Sequence, residues 1–337
     1  MLDTGAVRWN DDGTMQVGGV SFGVLGGTPS ESILLLYKAP DMIDAYTPIV
    51  DEFRGARVVE LGIFGGGSTG FFALVMAPSK LMAFDLSTRR SRLLDDLVES
   101  QGLAETVRLN YGVDQSDHDT LAAIVDRELD GAPIDLVIDD ASHLYGPTVA
   151  SFEVLFPRVR PGGLYVIEDW APPTPIIEHF VAVAARRPSE EASALEALIA
   201  DQIRDASRDS RDFFINWFVR AALDPASPHH DAVRRWYEAI LHDEQPACRV
   251  IRQHLEPLVE AGWDGFRRQP NLTTLGIELV VAAANGHLSG VAEVRISPWW
   301  IEVRRSDQEL DPARFRFDEI AYDHFDAIGR LPSGGPA

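Results

Sequence analysis

An α/β fold built on a mostly parallel sheet is what this sequence predicts, and three observations predict it. Between residues 56 and 170, short apolar runs alternate with helix-like segments. Each run is separated from the next by a helix-length stretch, the spacing of βαβ units. The runs lead into glycines or acids: Arg57–Leu61 into Gly62, Lys80–Phe84 into Asp85, Ile134–Ile138 into Asp139, and Gly163–Ile167 into Glu168.

The elements follow in chain order. Residues 1–55 form an N-terminal module: Val7 to Val24 reads as a small hairpin with turns at Asp12-Gly13 and Gly18-Gly19. Ser30 to Phe53 reads as helical, broken into pieces by Pro40 and Pro48. Residues 56–175 are the sheet core, with helices expected over Thr69–Met76, Thr88–Gln101, His118–Leu129 and Pro147–Phe156 between the strands, and a third strand over Thr106–Leu109.

Residues 176–270 change character: Ala, Leu, Arg and Glu dominate from Glu190 to Gly262, with a break at Asp224–Pro228. The stretch reads by composition and length as a helical cap of about four helices. The span 271–306 completes the sheet. Its first part, Asn271–Ala284, fits helix or strand, while Val291–Ile296 and Trp299–Arg304 flank Ser297-Pro298 as a hairpin. Residues 307–337 are a tail, disordered from Arg330.

The chain has 337 residues, with 30 basic and 52 acidic side chains, a net charge of −22. That sign repels phosphate backbones and anionic lipid, which excludes nucleic acid and membrane surfaces as default partners. No apolar run reaches membrane-spanning length, and the N-terminus has no signal-peptide layout. A single cysteine, Cys248, excludes a disulfide framework. A cytoplasmic protein is expected.

Ligands on open parallel sheets bind beyond the carboxyl ends of the strands, so the glycines and acids named above are expected to converge. Glycines in Glu60-Leu-Gly62-Ile-Phe-Gly65-Gly66-Gly67-Ser68 let a ligand approach the backbone and expose amides at a helix N-terminus. The loop lacks the Gly-x-Gly-x-x-Gly spacing of a pyrophosphate site. Its acid, Glu60, suits a ligand carrying an amine or sulfonium. Asp85, 23 residues beyond Gly62, stands where a carboxylate can accept from ribose hydroxyls. The pair reads as a nucleoside site better suited to S-adenosylmethionine than to NAD.

Asp140-Ala-Ser-His143 follows the fourth strand and Glu168-Asp169 the fifth. Neighbouring parallel strands lie about 5 Å apart, so these side chains can meet. Carboxylates so crowded repel one another unless a cation neutralises them, and hard oxygen donors suit Mg²⁺. The alternative is that Asp139 or Asp140 caps the next helix and that Glu168-Asp169 is a solvated loop. Trp299-Trp300 reads as sheet packing; Trp170 is either a pocket wall or not part of the site.

With these motifs in order, joined by Gly112-Val-Asp-Gln-Ser-Asp117, Ser151-Phe-Glu-Val-Leu-Phe156 and Pro161-Gly-Gly-Leu-Tyr-Val-Ile-Glu-Asp169, the segment over about 56–170 resembles a known family. It is similar to the metal-dependent class I S-adenosylmethionine O-methyltransferases acting on macrolide and related sugars, of the mycinamicin VI 2″-O-methyltransferase type. The resemblance implies a Rossmann-like sheet with a terminal antiparallel hairpin. It implies that Asp140, Glu168 and Asp169 hold Mg²⁺, with His143 as general base. Glu60, Gly62, Gly66 and Ser68 would face the methionine end of S-adenosylmethionine, Asp85 the ribose, and Gln115 and Asp139 would belong to the cofactor site. The acceptor would be a glycosylated natural product or diol, and the enzyme a homo-oligomer. The short N-terminal module and the enlarged helical stretch depart from the family, which leaves the acceptor open. An NAD-dependent oxidoreductase and a non-catalytic cofactor-binding protein are the competing readings.

Overall fold

Strand β5 (Arg57–Leu61) and strand β8 (Ile134–Asp139) lie side by side at the centre of a seven-stranded sheet. On one side of β5 follow β6 (Lys80–Asp85) and β7 (Val107–Tyr111). On the other side of β8 follow β9 (Val159–Glu168), β11 (Trp300–Arg305) and β10 (Val291–Ile296). The five strands from β5 to β9 are parallel, whereas β11 runs antiparallel to both of its neighbours. Every residue of β8 is buried, as a strand covered on both faces requires. The chain order reverses between β5 and β8, so the crevice for a ligand lies at their carboxyl ends.

This is the Rossmann-like arrangement expected of a class I methyltransferase. The computed structural model describes residues 7–24, 33–170, 180–205, 218, 221–223, 225, 227–260, 272–284 and 290–317. Contacts divide the chain into two units, one of Met1–Ala141, Gly146–Glu168 and Gly276–Ala337, the other of Ser142–Tyr145 and Asp169–Leu275.

In the larger unit the N-terminal segment is a second sheet rather than a lone hairpin. Strands β1 (Val7–Trp9), β2 (Met15–Val17) and β3 (Val20–Val24) are antiparallel, and β4 (Leu34–Leu36) adds to β3 in parallel. The helix expected across Ser30–Phe53 is therefore corrected at Leu34–Leu36. Leu34 and Leu36 alternate into the core, and Pro40 keeps the next helix from extending backwards. Helices α1 (Pro40–Ala45) and α2 (Thr47–Glu52) start beside their prolines, as expected.

Both sheets share one core. Helix α3 (Gly67–Val75) packs on β4 so closely that a Cβ at Gly67 would lie 2.1 Å from the Leu35 carbonyl oxygen. Phe22 meets Phe71 edge-on at 6.5 Å, and Tyr46 lies 5.0 Å from Phe72 and 4.4 Å from Trp300. Trp300 is thus a packing residue, as the sequence suggested.

Several boundaries move for local reasons. Helix α4 (Arg92–Ser100) begins four residues later than Thr88, because the Ser91 hydroxyl accepts from the Leu94 amide. Helix α5 (His118–Leu129) is capped by Asp117 and spans the expected residues. Helix α6 occupies Tyr145–Leu155. Strand β9 starts at Val159, since Arg160-Pro161-Gly162-Gly163 stays in the strand despite its turn-like composition.

The second unit contains helices α7 (Glu190–Asp205), α8 (His230–Leu241) and α9 (Pro246–Glu260). Phe180, Phe218, Trp236, Ile240, Cys248, Ile251 and Leu255 form its core. Buried Glu196 accepts from Arg187, from Trp236 Nε1 at 3.0 Å and from Cys248 Sγ at 3.4 Å. The ambiguous segment after Asn271 is a helix, α10 (Leu272–Ala284). The tail from Arg330 lies outside the described residues. Among the described residues no helix is long and apolar enough to cross a membrane.

Candidate active site at the strand ends

Strand β5 ends in the glycine loop, and two backbone hydrogen bonds fix the start of that loop. The Gly62 amide donates to the Phe84 carbonyl at 2.8 Å, and the Asp140 amide donates to the Leu61 carbonyl at 2.9 Å. A Cβ at Gly62 would lie 2.1 Å from the Asp140 carbonyl oxygen, and its φ is +99°, so only glycine suits this position. Gly66, at φ +88°, precedes α3, where a Cβ would press on Leu94 at 2.7 Å. Phe64 adopts φ +47° with its ring exposed against Tyr37, centroids 5.0 Å apart.

Glu60 is fully buried beneath this loop, and neither carboxylate oxygen meets a donor in hydrogen-bond geometry. Burial pushes its pKa up to about 7, opposed in part by the Ser68 and Thr69 hydroxyls and the charge of Lys38. A buried carboxyl left in this state fits a cationic ligand group. Asp85 faces the loop from β6: Oδ2 accepts from the Ile63 amide at 3.0 Å and the Phe64 amide at 2.6 Å, and Oδ1 from the Ser87 amide at 2.7 Å. A carboxylate has about four lone-pair sites, so three such bonds leave acceptor capacity.

Gln115 and Asp139 meet in a buried network. Asp139 accepts from Ser151 Oγ at 2.8 Å and Tyr165 Oη at 2.9 Å, and Gln115 Nε2 donates to Ser151 Oγ at 3.1 Å. Helix α6 and strand β9 supply Ser151 and Tyr165, so this cluster ties the end of β8 to its neighbours.

Two residues of the N-terminal segment that the sequence analysis did not single out, Lys38 and Tyr46, meet the acids at the ends of β8 and β9. Lys38 Nζ lies 2.9 Å from Asp140 Oδ2 and 2.5 Å from Glu168 Oε2, and Tyr46 Oη donates to Glu168 Oε1. Lys38, Tyr46 and Glu168 are all buried. Burial lowers the pKa of Lys38, but the charges of Asp140 and Glu168 outweigh it and hold the ammonium above its usual range. Burial and the charge of Asp140 push Glu168 above the carboxylate range, and burial with Glu168 raises Tyr46.

One signal pointed to Lys38: it is one of two lysines in an arginine-rich chain. A compact ammonium fits between two carboxylates where a planar guanidinium would not. In the second unit, His143 Nε2 lies 3.8 Å from Asp169 Oδ2. Both residues adopt left-handed backbone, φ +54° and +50°, a conformation rare for side chains other than glycine.

Residues 59–170 match the family described as "Methyltransferase domain". The chain is 36% identical over 138 residues to demethylmacrocin O-methyltransferase of Streptomyces fradiae, covering 37% of this chain and 31% of that enzyme. It is 36% identical over 137 residues to mycinamicin VI 2″-O-methyltransferase of Micromonospora griseorubida, covering 37% and 31%. It is 52% identical over 123 residues to the 8-demethyl-8-α-L-rhamnosyl tetracenomycin-C 2′-O-methyltransferase of Streptomyces olivaceus, covering 34% and 29%.

The matched stretch thus spans under a third of these relatives, at most 31%. Among solved structures, the MycE methyltransferase of the mycinamycin pathway, in complex with Mg and SAH, aligns at 20% identity and a TM-score of 0.39, covering 77% of this chain and 49% of that one. The segment that runs from β5 to the end of β9 is the part of the chain that is similar to a methyltransferase domain.

Proposed function

We propose that this protein transfers a methyl group from S-adenosylmethionine to a hydroxyl of a small natural product, most readily one of a vicinal diol on a sugar. The observation that carries this reading is Glu60, a buried carboxyl without a hydrogen-bond donor beneath a glycine loop at the carboxyl end of β5. A cofactor with an ammonium and a sulfonium would bring positive charge to this carboxyl, whose pKa burial raises despite the charge of Lys38. The curated relatives are O-methyltransferases of macrolide and rhamnosyl compounds, which supports a sugar hydroxyl as acceptor.

In this reading Glu60, Gly62, Gly66 and Ser68 face the methionine end, and Asp85 uses its remaining acceptor capacity for a ribose hydroxyl. Gln115 and Asp139 support the adenine side through their shared network. By the resemblance, Asp140, Glu168 and Asp169 would hold Mg²⁺. The donors fit such an ion: they are hard carboxylate oxygens, and two of them already converge on one cation, the Lys38 ammonium. When bound, the metal would lower the pKa of an acceptor hydroxyl and fix its position. His143 then takes the hydroxyl proton at Nε2, with Asp169 beside the ring to stabilise the imidazolium. The acceptor is a small molecule, and self-association, implied by the resemblance, is read by sedimentation.

The test is transfer of labelled methyl from S-adenosylmethionine to a panel of glycosylated natural products and catechols. Label should enter at least one diol, stop with EDTA and return with Mg²⁺. Transfer indifferent to EDTA would remove the metal from the reading. Tight cofactor binding with no transfer to any diol would favour a non-catalytic role.

A further inference from the structure

Two carboxylates expected to hold a metal already share one ammonium from the same unit. Lys38 follows β4, directly ahead of helix α1, and the ordered parts around it leave its ammonium little freedom. Leu36 is buried, Met42 and Ile43 anchor α1 in the core, and Tyr46 packs between Phe72 and Trp300. The Lys38 ammonium also sits 5.9 Å from the centre of the Tyr46 ring. Its two partners come from different strands, and Lys38 is 2% exposed.

We propose that Lys38 is a tethered cation that holds Asp140 and Glu168 together and competes with the divalent ion for them, so that it sets the metal affinity of the site. This inference rests on the proposed metal role of those carboxylates. With Lys38 present, an incoming ion meets a pair whose charge is half neutralised and whose oxygens Oδ2 and Oε2 are already bonded to an ammonium. With a neutral side chain of similar shape, the same ion would meet both carboxylates without the ammonium on Oδ2 and Oε2, Tyr46 still donating to Glu168. A buried charge left without its counter-charge is strongly unfavourable, and Glu168 is buried, which raises the gain from binding a cation there.

The experiment compares Mn²⁺ binding, by electron paramagnetic resonance of the free ion, in the wild type, Lys38→Met and Lys80→Met. Lys80 pairs with Glu128 at the other end of its strand, so Lys80→Met removes the same charge away from the site. Lys38→Met should bind Mn²⁺ more tightly by about tenfold or more, given the strength of close charge interactions in a buried site. Lys80→Met should match the wild type. Without metal, Lys38→Met should melt at a lower temperature than the wild type, and Mn²⁺ should raise its melting temperature by more.

Equal or weaker Mn²⁺ binding by Lys38→Met, with the wild type binding, would overturn this inference and leave the metal reading standing. Binding by neither protein would remove both. A Lys38→Met protein that is unfolded even with Mn²⁺ present would also overturn it, since the divalent ion would then be unable to replace the ammonium.

Discussion

The carboxylate of Asp85 clasps the glycine loop: its Oδ2 accepts from the Phe64 amide at 2.6 Å. The same oxygen takes the Ile63 amide, and Oδ1 takes Ser87, so one side chain from β6 shapes the turn that follows β5. In Asp85→Ala these amides lose their acceptor and the loop loses its shape. Affinity for S-adenosylmethionine should fall by about tenfold or more, a loss of the size expected for hydrogen bonds to a charged group. Calorimetric titration checks this, and unchanged affinity would detach Asp85 from the cofactor site.

Glu60 gives the cofactor site a pH dependence. A carboxyl raised from 4.5 to about 7 by burial is largely protonated in the free protein at pH 6. A cationic ligand binds the ionised form better, so binding releases a proton and strengthens as pH rises through about 7. Without ligand the sign reverses. The folded state binds more protons than the unfolded one between 4.5 and about 7, so stability should fall as pH rises across that window. Glu60→Gln should flatten both profiles, as followed by calorimetry and thermal melting.

His143→Ala should lower kcat by roughly 10²- to 10⁴-fold, the usual range for a general base, while leaving cofactor affinity unchanged. Single-turnover kinetics with the best acceptor from the diol panel would show it. Full activity in that variant would take the proton-accepting role away from His143.

The Asp139 network is a matter of stability. Tyr165→Phe removes the donor at 2.9 Å but leaves Ser151 bonded to Asp139, so the loss should be modest, about 1 to 3 kcal/mol for a buried acceptor that forfeits one partner. Urea unfolding measures it.

In the helical unit, Arg187→Ala would strand the buried Glu196 beside Trp236 and Cys248. Removing one partner of a buried ion pair costs about 3 to 5 kcal/mol. Limited proteolysis should then cut within residues 180–260 first, whereas uniform resistance would show that Glu196 is neutralised in some other way.

The parallel strands, their order of appearance and the acids at their ends were legible along the chain, because apolar period and glycine placement are local properties. Asp85, Asp139 and Glu168 stand at strand ends as their positions implied. Leu34–Leu36 was not legible as a strand, since three leucines carry no period and only pairing with Phe22–Val24 makes them one.

By itself the sequence determined the sheet class, the glycine loop with its acid, and the acidic doublets, each set by the few residues around it. Only the tertiary structure decided that Lys38, 102 residues before Asp140 and 130 before Glu168, stands between those two carboxylates. The physical reason is burial: a charge in the core has to find its counter-charge in space, and the distance along the chain between partners leaves no local pattern to read.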